Sequence, residues 1–256
     1  MSAGSAMSRR SVPPIGLRHT CFVSGRDEPR AVSCDYDARP ERMRLAREIL
    51  RRHAASRDVH ASVAARLVTE GMLPVLDVGC GEGELQRHLP DGAWVGVDSS
   101  PAMVAGAPAG VHLARADELP FDDGSFGAAA MLYVLYHLDD PARALAEARR
   151  VVRAGGRVAA ATPSRHDSPE LAFALPDRSL SFDAEQAPSL MAEHFSSVEV
   201  QPWDLPLLTL PDHAAVRDYL IGKGTTPGRA ATAAFEIDVP LTVTKRGALV
   251  WGEVPA

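Results

Sequence analysis

A chain of 256 residues and 27.3 kDa, 46% hydrophobic and 23% charged, can bury one sizeable core with additions rather than two full domains. Its net charge of −6 excludes a global basic field that would gather nucleic acid, and no apolar run approaches the ~18 residues of a membrane span. Cys21, Cys34 and Cys80 form no C-x-x-C pair and the first ten residues hold no apolar stretch, so neither a zinc knuckle, a disulfide framework nor a signal peptide is indicated, and a cytoplasmic chain is expected.

Residues 1–30 are rich in Ser, Gly, Pro and Arg without periodicity, and are expected to be disordered or loosely docked. Asp37 and Pro40 then mark a helix start, and Met43, Leu45, Ala46, Ile49 and Leu50 give that helix an apolar stripe. A second helix is predicted from Asp58 to Glu70, closed by Gly71. Strands follow at Pro74–Val78, Trp94–Asp98, Val111–Ala114, Gly127–Leu132 and Arg157–Thr162. Helices are predicted between them at Glu82–Leu89, Pro101–Ala105 and Pro141–Val152. Such alternation predicts an α/β fold with a mostly parallel sheet, whose ligands sit beyond the carboxyl ends of the strands.

The tail changes character. Thr162–Leu180, with Pro163, Pro169 and Pro176, reads as an inserted loop, Asp183–Phe195 as a helix and Ser196–Pro202 as a strand. Asp212–Ile221 is a predicted helix left through Gly222 and Gly224. Val239–Thr244 and Ala248–Trp251 flank Lys245-Arg246-Gly247, a hairpin or kinked-strand signal. The organisation expected is an N-terminal stretch over 1–30, a helical segment over 31–71, a core over 72–163, and over 164–256 an insert plus the C-terminal part of the same domain. Basic charge is nearly all arginine, Lys223 and Lys245 being the only lysines. The arginines around residues 39–52 and 149–157 read as solvated helix faces, mixed with Glu41 and Glu48 at ion-pair spacing.

The chemistry concentrates at Val75-Leu76-Asp77-Val78-Gly79-Cys80-Gly81-Glu82-Gly83, an apolar run feeding three alternating glycines, with Asp98 closing the next apolar run. Glycines at a strand-to-helix turn allow close approach of a ligand to the main chain, and an acid at the tip of the next strand accepts hydrogen bonds from ribose hydroxyls. The spacing is G-x-G-x-G rather than the dinucleotide G-x-G-x-x-G. Asp77 just before the first glycine would repel a pyrophosphate but suits a ligand carrying an ammonium or sulfonium.

These residues resemble motif I of the class I S-adenosylmethionine-dependent methyltransferases, of the small-molecule type 11 kind. Gly96-Val97-Asp98-Ser99-Ser100-Pro101 resembles the acidic second-strand motif. The likeness continues through Leu119-Pro120-Phe121-Asp122-Asp123-Gly124-Ser125-Phe126 and Leu135-Tyr136-His137-Leu138-Asp139-Asp140-Pro141, and closes on Glu147–Arg157, so that it covers roughly residues 73–162 in the family's order. It implies a Rossmann-like class I methyltransferase fold, a mostly parallel sheet with helices on both faces and an antiparallel C-terminal strand. It also implies that the leading helices form a lid.

On that resemblance Asp98 receives the ribose diol, Asp77 orients the methionyl ammonium, and Gly79, Cys80, Gly81 and Gly83 border the amino-acid portion of S-adenosylmethionine. Cys80 itself is expected to be packing. Ser99 and Met103 would flank the adenosine. The family's adenine-reading Asp has no ungapped counterpart: counting back from Phe121 reaches Arg115, so either Asp117 takes the role or Ala116 supplies backbone contacts. Tyr133, Tyr136 and His137 fall between cofactor and acceptor, Tyr133 on the cofactor side and also a candidate catalytic residue, and His137 as a general base for a hydroxyl or amine. Tyr36 and Arg44 are candidate lid contacts, and Trp203, His213 and Tyr219 candidate acceptor contacts. The expected reaction is O- or N-methylation of a small molecule, a secondary metabolite, yielding S-adenosylhomocysteine without a metal. The expected partner is that acceptor, with no membrane and no nucleic acid, as monomer or homodimer. An RNA methyltransferase, an NAD-dependent oxidoreductase and a non-catalytic cofactor-binding module are the rival readings.

Overall fold

The computed structural model describes residues 40–55, 58–177 and 179–256, with the side chains of Pro40 and Met43 excepted. The expectations for residues 1–30, Asp37, Tyr36, Cys21 and Cys34 lie outside the described residues.

Among the described residues two helices lead, α1 (Pro40–His53) and α2 (Val59–Thr69), the second N-capped by Asp58, whose side chain accepts from Ala61 N at 2.9 Å. Among the described residues the sheet has seven strands: β1 (Val75–Val78), β2 (Trp94–Asp98), β3 (Val111–Leu113), β4 (Phe126–Leu132), β5 (Val152–Pro163), β6 (Ser196–Leu210) and β7 (Leu241–Glu253). Their order is β3-β2-β1-β4-β5-β7-β6. The first five run parallel, and β7 enters antiparallel between β5 and β6. Between strands lie α3 (Pro101–Gly106), α4 (Pro141–Val151), α5 (Ala187–His194), α6 (His213–Gly222) and α7 (Pro227–Phe235). This is the Rossmann-like α/β fold expected, with its antiparallel C-terminal strand.

The period of two along β4 and β5 sorts their small residues onto two faces. Ala128, Ala130, Ala159 and Ala161 join Val63, Leu67, Trp203 and Trp251 in one core under α2. Ala129, Met131, Val158 and Ala160 join Phe121, Phe126, Leu145 and Val151 in the other under α4. Each large side chain so buried is worth about 1.5–3 kcal/mol, which is how strands this poor in β-branched residues still hold the centre of the sheet. A third, separate core lies beyond β5, where Ile49 of α1, Tyr219 and Leu220 of α6, Ala230 and Ala234 of α7 and Leu208, Leu210 and Val243 of β6 and β7 meet.

Several elements differ from expectation. Glu82–Leu89 is not an α-helix but a run of turns and a short 3-10 helix, Leu85–His88; Gly83 sits at φ +75° with Pro108 2.8 Å from where a Cβ would be, and Pro90 ends the segment. Asp183–Gln186 is a turn in which Asp183 accepts from Glu185 N and Gln186 N, so the helix starts only at Ala187. β6 continues to Leu210 through Pro202 and Pro206, tolerated because it is the sheet edge. There is no hairpin at Lys245-Arg246-Gly247: β7 runs straight through, with Gly247 required because a Cβ would lie 2.3 Å from Trp203 and 2.6 Å from the Thr162 carbonyl. Helix α7 was not anticipated: its buried face is alanine alone, Ala230, Ala233 and Ala234, and carries no large apolar residue.

Candidate functional site

The carboxyl ends of β1, β2 and β4 converge where the glycine turn leaves β1. Gly79, Gly81 and Gly83 all take positive φ (72°, 53° and 75°). Gly79 N and Cys80 N both donate to Val97 O, at 2.8 and 3.0 Å, which ties the turn to β2. A Cβ on Gly79 would meet Val134 at 2.4 Å, so the turn is shaped by the residue that follows Tyr133.

Asp98 bridges the two motifs. Its Oδ2 accepts from Gly81 N at 2.9 Å and its Oδ1 from Ser100 N at 2.9 Å. A carboxylate offers about four acceptor positions, so capacity remains for a diol. Ser99 is exposed beside it, and Ser100 caps α3 by accepting from Met103 N at 3.3 Å, which sets the half-buried Met103 on the first turn of that helix.

Asp77 is buried, and its Oδ2 accepts from Trp94 Nε1 at 3.2 Å. Burial pushes its pKa up to about 7, the Trp94 hydrogen bond opposing this and the charge of Asp98 adding to it. A cationic group brought beside Asp77 would recover that cost. Cys80 is buried too, its thiol pushed far up by burial and by the charges of Asp77 and Asp98, which makes it packing rather than chemistry.

Across the turn, Tyr133 closes β4 at φ 61°, a conformation unusual for a non-glycine residue, while its N donates to Ala161 O at 2.8 Å. Tyr133 borders an open cleft of about 380 Å³, walled by Leu50, Arg51 and Ala54 at the end of α1, by Asp58 and His60 at the start of α2, and by Glu84 of the glycine turn. His137 ends the 3-10 helix Leu135–His137 that follows, half-buried, with its ring 4.2 Å from that of Tyr136 at 47°.

The Asp117 position is more guarded than the sequence implied. Both Asp117 oxygens are gripped by the Arg115 fork, at 2.9 and 2.8 Å, which holds that carboxyl below its ordinary range. An adenine amine would have to share Asp117 with Arg115. Ala116 packs against the core beside it.

The structure thus brings Asp77, Asp98, the three glycines and Tyr133 together at one edge. Other candidates stand apart. Arg44 is exposed on α1, Trp203 is buried in the sheet core, His213 lies exposed at the start of α6 against Phe235, and Tyr219 is buried in a polar cluster beyond β5. Two neighbours of the site escaped the sequence reading. Trp94 is fixed above Asp77 by the β1–β2 register, in which Asp77 faces Gly96. Arg47 of α1 pairs with Glu82 at 2.9 Å and reaches 3.3 Å from the Cβ position of Gly81; the Arg/Glu spacing on α1 was its only signal, shared with every surface pair.

Comparison with known proteins bears on the same stretch. Residues 76–160 match the family model described as a methyltransferase domain. The chain is 42% identical over 113 residues to a demethylmenaquinone methyltransferase of Roseiflexus castenholzii, covering 38% of this chain and 46% of that protein. It is 34% identical over 127 residues to a trans-aconitate 2-methyltransferase of Deinococcus radiodurans, covering 45% and 46%. The matches span about a third to a half of the length of the curated relatives. Among solved structures, the YcgJ protein of Bacillus subtilis superposes with a TM-score of 0.57 at 19% identity, over 77% of this chain and 99% of that one, a likeness of fold.

Proposed function

We propose, from the premise that residues 76–160 are a class I S-adenosylmethionine-dependent methyltransferase domain, that the chain transfers a methyl group to an oxygen or nitrogen of a small molecule. The observation that carries this is the pair of carboxylates at the tips of adjacent parallel strands. Asp77 is buried and short of a countercharge, and Asp98 is hydrogen-bonded to the backbone of the glycine turn. The set fits a ligand with an ammonium at one end and a ribose diol further on. Gly79–Gly83 present main chain rather than side chain to it, and Ser99 and Met103 lie where an adenosine would pass.

S-adenosylmethionine, when bound, supplies a methyl group made electrophilic by a sulfonium. The residues of this chain then orient and desolvate. Asp77 receives the ammonium and Asp98 the ribose hydroxyls. Tyr133 walls the cofactor side of the cleft, which the end of α1 borders through Leu50 and Arg51. His137 accepts the proton that an alcohol, phenol or protonated amine gives up as its heteroatom gains carbon. The net charge of −6 and the names carried by two curated relatives both favour a small acceptor over RNA.

The test uses S-adenosylmethionine radiolabelled in its methyl group, the pure protein and fractionated cell extract. Label is expected in the organic-extractable small-molecule fraction. Label confined to ribonuclease-sensitive material would replace this reading by the RNA one, and calorimetric binding of NAD but not S-adenosylhomocysteine would end it.

A further inference from the structure

Trp94 opens β2, and its indole lies back along the strand. In the β1–β2 register Trp94 stands opposite Val75 and Gly96 opposite Asp77, so all four residues share one face of the sheet. Gly96 takes no positive φ, so its backbone asks for no glycine; the space above it does. A Cβ there would lie 2.7 Å from the Trp94 ring and 2.7 Å from Cys80 Sγ. The indole occupies the place of a Gly96 side chain and so crosses the diagonal to Asp77, where Nε1 donates to Oδ2 at 3.2 Å. Gly83 of the turn and Gly110 before β3 border the same ring, their Cβ positions 3.5 and 3.8 Å from it.

A buried indole in this fold does not require such a partner. Trp251 lies in the same core, and its buried Nε1 meets no acceptor among the described residues. The bond of Trp94 therefore matters for the other member. Among the described residues Trp94 Nε1 is the one donor to the Asp77 carboxylate, and it takes Oδ2, leaving Oδ1. The titratable groups acting on Asp77 do not replace it: Asp98 on β2 is a like charge, and Cys80 on the turn is a thiol held protonated. On the other sides, β4 sets Ala130 opposite Asp77 and Tyr133 beyond it, and α2 brings Val63 and Leu67 to the same core. Arg47 of α1 is paired with Glu82 at 2.9 Å.

We infer that Trp94 is a positioning residue for the cofactor: its indole N–H fixes Oδ2 of Asp77, so that Oδ1 is the oxygen left to receive the methionyl ammonium. The inference rests on the reading of Asp77 as the acceptor of that ammonium, and Trp94 acts through Asp77. A donor to the ionised carboxyl favours that form, whereas burial and the charge of Asp98 favour the proton, so Trp94 is what brings the ionisation of Asp77 down to neutrality. Without it the ammonium would meet a neutral carboxyl over the neutral range. Indole suits the task because it donates and has no lone pair to offer, so the bond cannot reverse to hold a protonated Asp77.

The chain has three tryptophans, so an indole ¹⁵N–¹H spectrum of the full protein holds three side-chain signals, which Trp94→Phe and Trp251→Phe assign. The Trp94 signal is expected to titrate near neutrality, to lose that titration in Asp77→Asn, and to shift when S-adenosylhomocysteine binds. Affinity for S-adenosylhomocysteine is then followed by calorimetry across the acid limb of its pH profile. In Trp94→Phe that limb is expected to move up by about one pH unit, or roughly tenfold in affinity at a pH on the limb. Trp251→Phe, which removes an indole of the same core, leaves the limb in place. A purely structural role for Trp94 lowers affinity equally at every pH. That uniform loss, or a Trp94 signal that ignores both pH and ligand, overturns the inference while binding of S-adenosylhomocysteine leaves the methyltransferase reading in place. Should Trp94→Phe not fold, the indole titration of the parent and its loss in Asp77→Asn decide alone. No binding of S-adenosylhomocysteine by the parent at any pH removes the methyltransferase reading, and the inference with it.

Discussion

The two ends of the sheet are built by different means. From β3 to β4 the site is made by backbone: positive-φ glycines, main-chain donors on Asp98 and a strand register that sets Trp94 over Asp77. From β5 to β6 a separate polar cluster is made by side chains drawn from a loop, a helix and a strand that are far apart in sequence, with their own small core against α1. Backbone devices fit a ligand that never changes, whereas side-chain devices can be exchanged one at a time. The difference is one between a cradle set by local backbone geometry and a cluster set by long-range packing.

The strongest way to break that division is at Lys245. Lys245→Met leaves Asp167 as an incompletely paired buried carboxylate and should cost about 3–5 kcal/mol by denaturant unfolding, with Lys245→Met/Asp167→Asn recovering most of it. If the ends are separable, S-adenosylhomocysteine affinity in the double variant should match that of the parent, and a parallel loss would show one cooperative site. His137→Ala comes next. Single-turnover methyl transfer should fall about 100-fold, a fall reversed by raising pH or by exogenous imidazole, with cofactor affinity held.

Asp77→Asn is expected to lower S-adenosylhomocysteine affinity at least about tenfold, near 1.4 kcal/mol, by calorimetry at pH 8. Its effect on stability runs the other way. The native pKa of Asp77, about 7 against an ordinary 3.8, means that the folded state holds this proton more tightly than the unfolded one. The parent should therefore lose stability as pH rises from about 4 to about 7 and level off above, and Asp77→Asn should flatten that part of the curve and melt higher at pH 8. By the same reasoning cofactor binding should release a proton near neutrality, visible as a buffer-dependent heat. Smallest is Arg47→Ala. Its pair with Glu82 is largely exposed and worth less than about 1 kcal/mol in stability, so a measurable drop in cofactor affinity would mark α1 as a working part of the cofactor end.

Sequence legibility divided along the same line. Asp77, the glycines and Asp98 were readable because their geometry is local, a turn and the tip of the next strand. The strands from Val75 to Leu132 were readable because each is a short apolar run between turn signals. Lys245 meets Asp167 across 78 positions and Tyr219 across 26, which no spacing rule records; the rarity of lysine was the sole trace. The turn at Glu82–Leu89 misled because helical composition was present while Gly83 and Pro108 held the backbone elsewhere. β7 misled because Lys-Arg-Gly is a turn composition, and Gly247 was there instead for the approach of Trp203. Asp117 was singled out for the adenine, and Arg115 only as the position an ungapped count reaches; that the Arg115 fork, two positions away, would occupy Asp117 was not read.

The place of β7 has a consequence for how the molecule comes to exist. It pairs with β5 through Arg157–Pro163 on one side and with β6 through Ser196–Leu210 on the other. During synthesis, then, β5 and β6 must wait with open edges until residues 241–253 have left the ribosome, and only that last arrival joins the two ends of the sheet. A nascent chain arrested at residue 240 would lack the strand that joins β5 to β6 and would leave the β5 edge open.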